Sequence, residues 1–585
     1  MKKFLILLFF LFLITTSAMA KESQPFAEKD NQKQIIQTEI KENVFEKNEI
    51  VNYKTYKISA IDPQKSSKKN NQLIIYTPLY GKSTNTDTKG FEAVVINNRV
   101  IKLNQYNSYI PQNGYVISGH GKAKKFILNN LFEGADVDID FEKANIKVVT
   151  RPDNYIYEAA YRIDKAKNIL ENSNENAVDV YNMNFYINRA TTILETTKKL
   201  VQFEDYENAS KMAKDSMTYS DMALYSSLAY KPDEFKGIWV FPYQKNEDEV
   251  EQAFDIIQRL NIENIFVEVY FNGTTAYPSE VAEKYGLIKQ SHYYNGFDPL
   301  DAWIKIAQKY NKNVYVTFKP FDVGNPAKSS IKENIISVYS KWQNQTTKSP
   351  SKKGNLYLDP ANPEVQKYIL ALMEEVSQKY DIAGINISRM SYPSYSGKIK
   401  NSWGFTNFAR NEFKNQTGFD PILLTENDSR IASWGNYKEN KIAQFANKVI
   451  DWGKKQENFQ ILFEIYPDKK QISQNLSKWN LNENIVLVPV LNSPDNDFAA
   501  DFFAEIQSNE PDTTIYPLYM EPYLEEKPRR LFDQITTARA MNINGIILYD
   551  LDYLNKEYYD ALRLCIFREP SKKKQEHLYV KEEKK

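Results

Sequence analysis

The stretch "GIWVFPYQKNEDEVEQAFDIIQRLNIENIFVEVY", residues 237–270, holds two apolar runs with a helical segment between them. Gly237–Phe241 and Asn264–Tyr270 are short and rich in β-branched and aromatic residues, the composition of strands buried on both faces. Residues 247–260 repeat their apolar positions at helical spacing. The same alternation then continues. Further apolar runs fall at 313–318, 383–387, 460–465, 485–490, 514–519 and 543–549, and further amphipathic stretches at 299–310, 363–379, 403–417, 526–541 and 555–566. Strands that alternate with helices predict a parallel sheet with both faces covered. Eight such units close into a (β/α)8 TIM barrel, here over 233–569.

Outward from the barrel the pattern changes. Residues 52–152 carry strand signals, among them "QLIIYTPLYG" (72–81), "FEAVVINNRVIKLN" (91–104), "GYVISGHG" (114–121) and "IKVVT" (146–150), with one helix at 122–132. Asn97-Asn98 suits a tight hairpin turn. The expectation is a small, mostly β domain. Residues 153–232 return to helical spacing and read as a helical spacer. The whole is multidomain, in keeping with 585 residues, too many for one core.

The ends carry their own signals. Lys2-Lys3, the apolar run Phe4–Ile14 and the small-residue exit to Ala20 form a signal peptide over 1–20, too short in its apolar part to span a bilayer. Export to the periplasm or the medium is expected, with cleavage near Ala20. Residues 21–51 read as a linker, and the charged tail 570–585 as disordered. No later segment has the composition of a membrane span.

Lys+Arg and Asp+Glu are both 75, which gives no charge-based reason to expect a nucleic-acid partner. Cys565 is the only cysteine, so no intramolecular disulfide forms. The three histidines, His120, His292 and His577, have no metal-ligand spacing, so neither a metal site nor a cofactor is expected.

In this fold the working side chains stand at the C-terminal ends of the strands. Those positions hold Glu268, Tyr270 and Asn272 after the second strand, Lys319 and Asp322 after the third, and Ser388-Arg389 after the fourth. Glu464 and Tyr466 follow on the fifth, Glu521 after the seventh and Asp550 on the eighth. Tyr243, Tyr392, Tyr395, Trp403 and Tyr519 accompany them. Carboxyl pairs flanked by aromatic rings suit sugar chemistry: one carboxyl protonates the glycosidic oxygen and the other acts as nucleophile or base. Barrel mouths also hold acids that only pair with Lys or Arg, and tyrosine is abundant throughout the chain (40 residues), so spacing alone favours sugar binding only slightly.

Six segments resemble, in order, the glycosyl-hydrolase-like family ten barrels: "KGIWV" (236–240), "NGTTAYPSEV" (272–281), "GFDPLDAWIKIAQKYN" (296–311), "LYLDPANPEVQKYIL" (356–370), "WGFTNFARNEFKNQTG" (403–418) and "FDQITTARAMNINGIILYD" (532–550). "IIYTPLYG" and "PQNGYVISGHG" also resemble a β module that accompanies such barrels in other exported bacterial proteins. The resemblance implies hydrolysis of glycosidic bonds in bacterial glycan, with peptidoglycan strands stripped of peptides the leading case. It also exposes two departures. The family's fourth strand reads Asp-Gly-Ile-x-Leu/Phe-Asp before its Tyr-Pro, whereas this chain reads "AGINISRMSYP" (383–393), with Ala383 and Ser388 in the acid positions. Where the family shows Trp and then Asn-Pro on the third strand, this chain has Thr317 and Lys319-Pro320.

Two functions follow. In the first, the protein is an exported glycoside hydrolase whose acids come from Glu464, Glu521 and Glu268. Substrate is then held by Tyr270, Asn272, Lys319, Ser388, Arg389, Tyr392, Trp403, Tyr466 and Asp550. In the second, the missing acid at Ser388 leaves an impaired barrel that binds glycan or serves as an envelope scaffold. A serine hydroxyl neither protonates a leaving group nor carries charge at neutral pH.

Overall fold

The computed structural model describes residues 52–567 apart from 65–70, 87–89, 105–106, 174–177, 229, 326–334, 349–353, 396–397, 468–471, 494–495, 521–527 and 565. The signal peptide, the linker and the charged tail lie outside the described residues, as do Glu521 and Cys565. Contacts divide the chain into two compact units, Met1–Glu158 with Leu200–Ser210, and Ala159–Lys199 with Lys211–Lys585.

The first unit is built on an eight-stranded sheet in the order β1-β8-β7-β5-β4-β6-β3-β2. Its strands are β1 Asn52–Lys57, β2 Ala60–Ile61, β3 Leu73–Tyr76, β4 Gly90–Ile96, β5 Arg99–Asn104, β6 Gly114–His120, β7 Asp136–Asp140 and β8 Asn145–Thr150. Asn97 and Asn98 both take positive φ, 50° and 61°, as the turn between β4 and β5 requires. Ile75, Ala93, Val95 and Ile117 pack one face of the sheet against Ala123 and Ile127 of the helix Lys122–Asn130. Three helices follow along the chain, Pro152–Asn172, Val180–Gln202 and Tyr206–Tyr225.

From residue 235 the second unit is a TIM barrel. Its wall comprises β9 Phe235–Val240, β10 Asn264–Phe271, β12 Asn313–Phe318, β15 Gly384–Ile387, β16 Gln460–Ile465, β17 Ile485–Leu491, β19 Leu518–Met520 and β20 Gly545–Tyr549. Each neighbour is parallel, and β20 pairs with β9 to close the ring. The seventh wall strand is split: β18 Thr514–Ile515 and β19 both pair with β17, and Pro517 between them has no N–H for the ladder. Two short pieces flank the mouth. β11 Thr274–Thr275 folds back on β10, and β13 Asp322–Gly324 pairs with β14 Leu356–Tyr357.

The barrel interior is filled by Trp239, Phe266, Tyr315, Leu462, Val486, Val488, Val490, Leu518 and Ile547. A larger core lies between wall and helices, with Val267, Val316, Ile385, Phe463 and Leu487 facing it. The helix Ile431–Gly453, between β15 and β16, joins that core through Ile442, Phe445, Ala446 and Val449.

Candidate active site

Above the apolar filling lies a polar layer. Glu268 of β10, Thr317 of β12, Asn386 of β15 and Glu464 of β16 come from adjacent strands and are at most 2% exposed. The Asn386 amide ties the layer together, donating to Thr317 Oγ1 at 3.3 Å and to Glu464 Oε1 at 3.1 Å. Glu464 Oε2 accepts from Ser388 Oγ at 2.7 Å and from Tyr466 OH at 2.5 Å. Both carboxylate oxygens are therefore held as acceptors by neutral donors. The Ser388 amide donates to Phe318 O at 2.9 Å, which extends the ladder one residue past β15 and fixes where its hydroxyl points. Gln474 braces the same corner, accepting from the Tyr466 amide at 3.2 Å and donating to Glu464 O at 2.9 Å.

Glu268 has a different partner. Lys319 Nζ stands 2.8 Å from Glu268 Oε2, a charge contact off the alignment of a hydrogen bond, and lies over the Phe241 and Trp239 rings at 5.1 and 5.7 Å. Burial raises the Glu268 pKa, Lys319 opposes the rise, and the nearby Glu464 charge adds to it.

Asp550 is the third acid of the mouth, 1% exposed at the end of β20. Its Oδ1 accepts from the amides of Asp552 and Tyr553 at 2.9 and 3.3 Å, while Oδ2 has no hydrogen-bond partner among the described residues. Burial first, and Asp552 second, push its pKa up to about 6. The Glu464 charge acts on Glu268, and the Glu268 charge on Asp550, so the three carboxyls share one mouth.

Beside this layer, over the ends of β15 to β19, opens a cleft of about 380 Å³ whose lining includes Asp322, Tyr357, Arg389, Tyr466, Asn492 and Met520. Arg389 is exposed, with φ at 51°. Tyr466 first, then Asp322 and Glu464, hold its guanidinium above its ordinary value.

The structure brings Glu268, Glu464, Lys319, Ser388, Tyr466 and Asp550 together and puts Arg389 in the cleft. It places other residues of the sequence-based set elsewhere. Tyr270 is fully buried in the core outside the wall, 6.0 Å from the Phe318 ring. The cause is a bulge between Glu268 and Tyr270, which breaks the two-residue alternation and turns Tyr270 outward. Tyr519 is likewise fully buried in that outer core. Tyr392 borders the cleft, but its ring is 1% exposed and packs near Gly404. Trp403 stands edge-on to the cleft residue Tyr357, at 5.1 Å. Asn272 occupies a left-handed turn position and packs against Gly324. Asn386, Gln474 and Tyr357 were not expected. A polar residue inside the apolar run at 383–387 was the one available signal for Asn386. Among the described residues no group of three or more His, Cys, Asp or Glu is placed to hold a metal ion.

A parallel barrel with acids gathered at the C-terminal mouth is a glycoside hydrolase-like arrangement. Residues 234–520 match the Glycosyl hydrolase-like 10 family, and this barrel segment is of that family. Over 156 residues the chain is 28% identical to Glycosyl hydrolase DigH of Escherichia coli (strain K12), and equally to that of Shigella flexneri. That match covers 25% of this chain and 35% of each relative. Among solved structures, the catalytic domain of beta-amylase from Paenibacillus polymyxa is similar at 10% identity and a TM-score of 0.40, covering 61% of this chain and 100% of that one.

Proposed function

We propose that the protein is an exported glycan-binding barrel of the bacterial cell envelope whose hydrolytic centre is impaired by Ser388. One observation carries this reading. Where the family resemblance expects an acid, the Ser388 hydroxyl donates to Glu464 at 2.7 Å, and the Tyr466 hydroxyl donates to the same oxygen. An aspartate at 388 would bring a second carboxyl against Glu464. Serine instead leaves Glu464 as a buried carboxylate whose oxygens are taken up by neutral donors. The cleft beside it keeps what a sugar chain uses, the rings of Tyr357 and Tyr466 and the polar groups of Arg389, Asp322 and Asn492. No helix among the described residues is long and apolar enough to cross a membrane.

A second reading, an active hydrolase, rests on Asp550. With its pKa pushed up to about 6, Asp550 holds a proton into the mildly acidic range, and Glu268 and Glu464 lie in the same mouth to serve as base or nucleophile.

The two separate in one experiment. Mature protein and its Ser388→Asp variant are incubated with peptidoglycan, intact and stripped of peptides, and released fragments are read by mass spectrometry. The impaired-barrel reading expects the native chain to bind and release nothing, and the variant to release fragments. Release by the native chain, lost in Asp550→Asn, establishes the second reading instead.

A further inference from the structure

The cleft with Arg389 occupies only one side of the mouth. The opposite side, over β20, β9 and β10, carries a second set of features that the reading above does not use. Tyr243, two residues past β9's neighbour Phe241, is 51% exposed and stacks on the Phe241 ring at 5.6 Å. Tyr293, 44% exposed, donates its hydroxyl to Tyr243 O at 2.8 Å and so props that loop from β10's side. Lys245 lies over the Tyr293 ring at 4.4 Å. Tyr553, 53% exposed, follows Asp550 on the β20 side. Exposed rings scattered singly over a surface carry no meaning, whereas rings held together at one place mark a binding face. Tyr243 and Tyr293, joined by that hydrogen bond, set two exposed rings side by side in one sector of the mouth and form a platform.

This platform faces the acids. After burial, the charges that act most on Tyr243 are Glu268, Asp552 and Asp550, in that order. The Glu464 charge acts in turn on Glu268, and Glu464 accepts a hydrogen bond from Tyr466, which lines the cleft. The sequence across the mouth therefore runs platform, carboxyl layer, cleft. Between the two binding sides the floor is polar, with Lys319 and Glu268 paired above the Trp239 ring. Flat aromatic faces and a polar floor suit pyranose rings, whose apolar faces stack while their hydroxyls bond downward.

We propose that Tyr243, propped by Tyr293, is a second sugar subsite, and that the barrel takes an extended glycan chain across its mouth rather than one or two sugars in the cleft. The proposal rests on the glycan reading of the same mouth. It makes the affinity depend on chain length, because a short oligosaccharide fills the cleft alone while a longer one also reaches the platform.

The test is a titration of the full mature chain with peptide-free glycan strands of two sugars and of six, followed by calorimetry. The six-sugar strand is expected to bind about tenfold more tightly than the two-sugar strand, the worth of one stacked ring. In Tyr243→Ala that ratio falls towards one, and in Tyr243→Phe, which keeps the ring, it stays. Tyr243 is exposed, so the alanine variant keeps its fold, and circular dichroism checks this. An unchanged ratio in Tyr243→Ala overturns the subsite while leaving the cleft standing. Absence of binding by either strand to the native chain overturns the glycan reading and the subsite with it.

Discussion

At Ser388 one side chain decides how the mouth is charged. Ser388→Asp places a carboxyl within hydrogen-bonding reach of Glu464, and two acids that close cannot both ionise at neutral pH. The variant is expected to lose about 1–3 kcal/mol of stability at pH 8 and much less at pH 5, where the pair shares a proton. Thermal melts at the two pH values check this independently of any gain in activity. Lys319 gives the converse case. Lys319→Met leaves Glu268 buried without its counter-charge and is expected to cost about 3 kcal/mol at neutral pH. The loss shrinks on acidification, since burial already raises the Glu268 pKa and protonation removes the stranded charge. Glu464 and Asp550 were legible in the sequence because strand-end acids in an alternating chain have one place to go. Tyr270 faces the outer core because of a bulge, which leaves no mark in composition.

At the scale of elements, the wall is held by close approach as much as by side chains. A Cβ added at Gly384, the first residue of β15, would lie 2.3 Å from Gln460 O and 3.0 Å from the Tyr315 ring. Gly384→Ala is therefore expected to destabilise the barrel by at least about 2 kcal/mol, read as a shift in the urea midpoint. The eight wall strands were legible because each is a short apolar run between turn residues, and their helices because of their stripes. The helix Asn496–Asn509 was not read, nor was the helix Ile431–Gly453. The latter has no side-chain cap at Arg430, and its buried face includes Lys438 and Lys441, which blur an apolar stripe. Lys441 is accommodated there by Glu412 at 2.6 Å, a partner distant in sequence that no local pattern announces.

For the whole molecule, buried acids shape the response to pH. Burial raises Asp359 and Asp550 each to about 6. Their unfolded values lie near 4, so between about pH 4 and 6 the native state binds more protons than the unfolded chain. Their contribution to stability is full below that window and is lost as pH rises through it. Asp420 and Asp428, lowered by hydrogen bonds from Arg410 and Arg430, act in the opposite sense and lose their contribution as the solution is acidified. Asp550→Asn is expected to flatten the decline between pH 4 and 7, with a difference from the native chain on the order of 2 kcal/mol, measured by urea unfolding across that range. The expectation of a barrel followed by its closure in the structure also has a consequence for synthesis. The ring is sealed by hydrogen bonds between β9, near its start, and β20, near its end. Until the last strand leaves the ribosome, both β9 and β19 present open edges, the templates for intermolecular pairing. A nascent chain interrupted before Gly545 is thus expected to be retained by chaperones or to aggregate, whatever the health of its other seven wall strands.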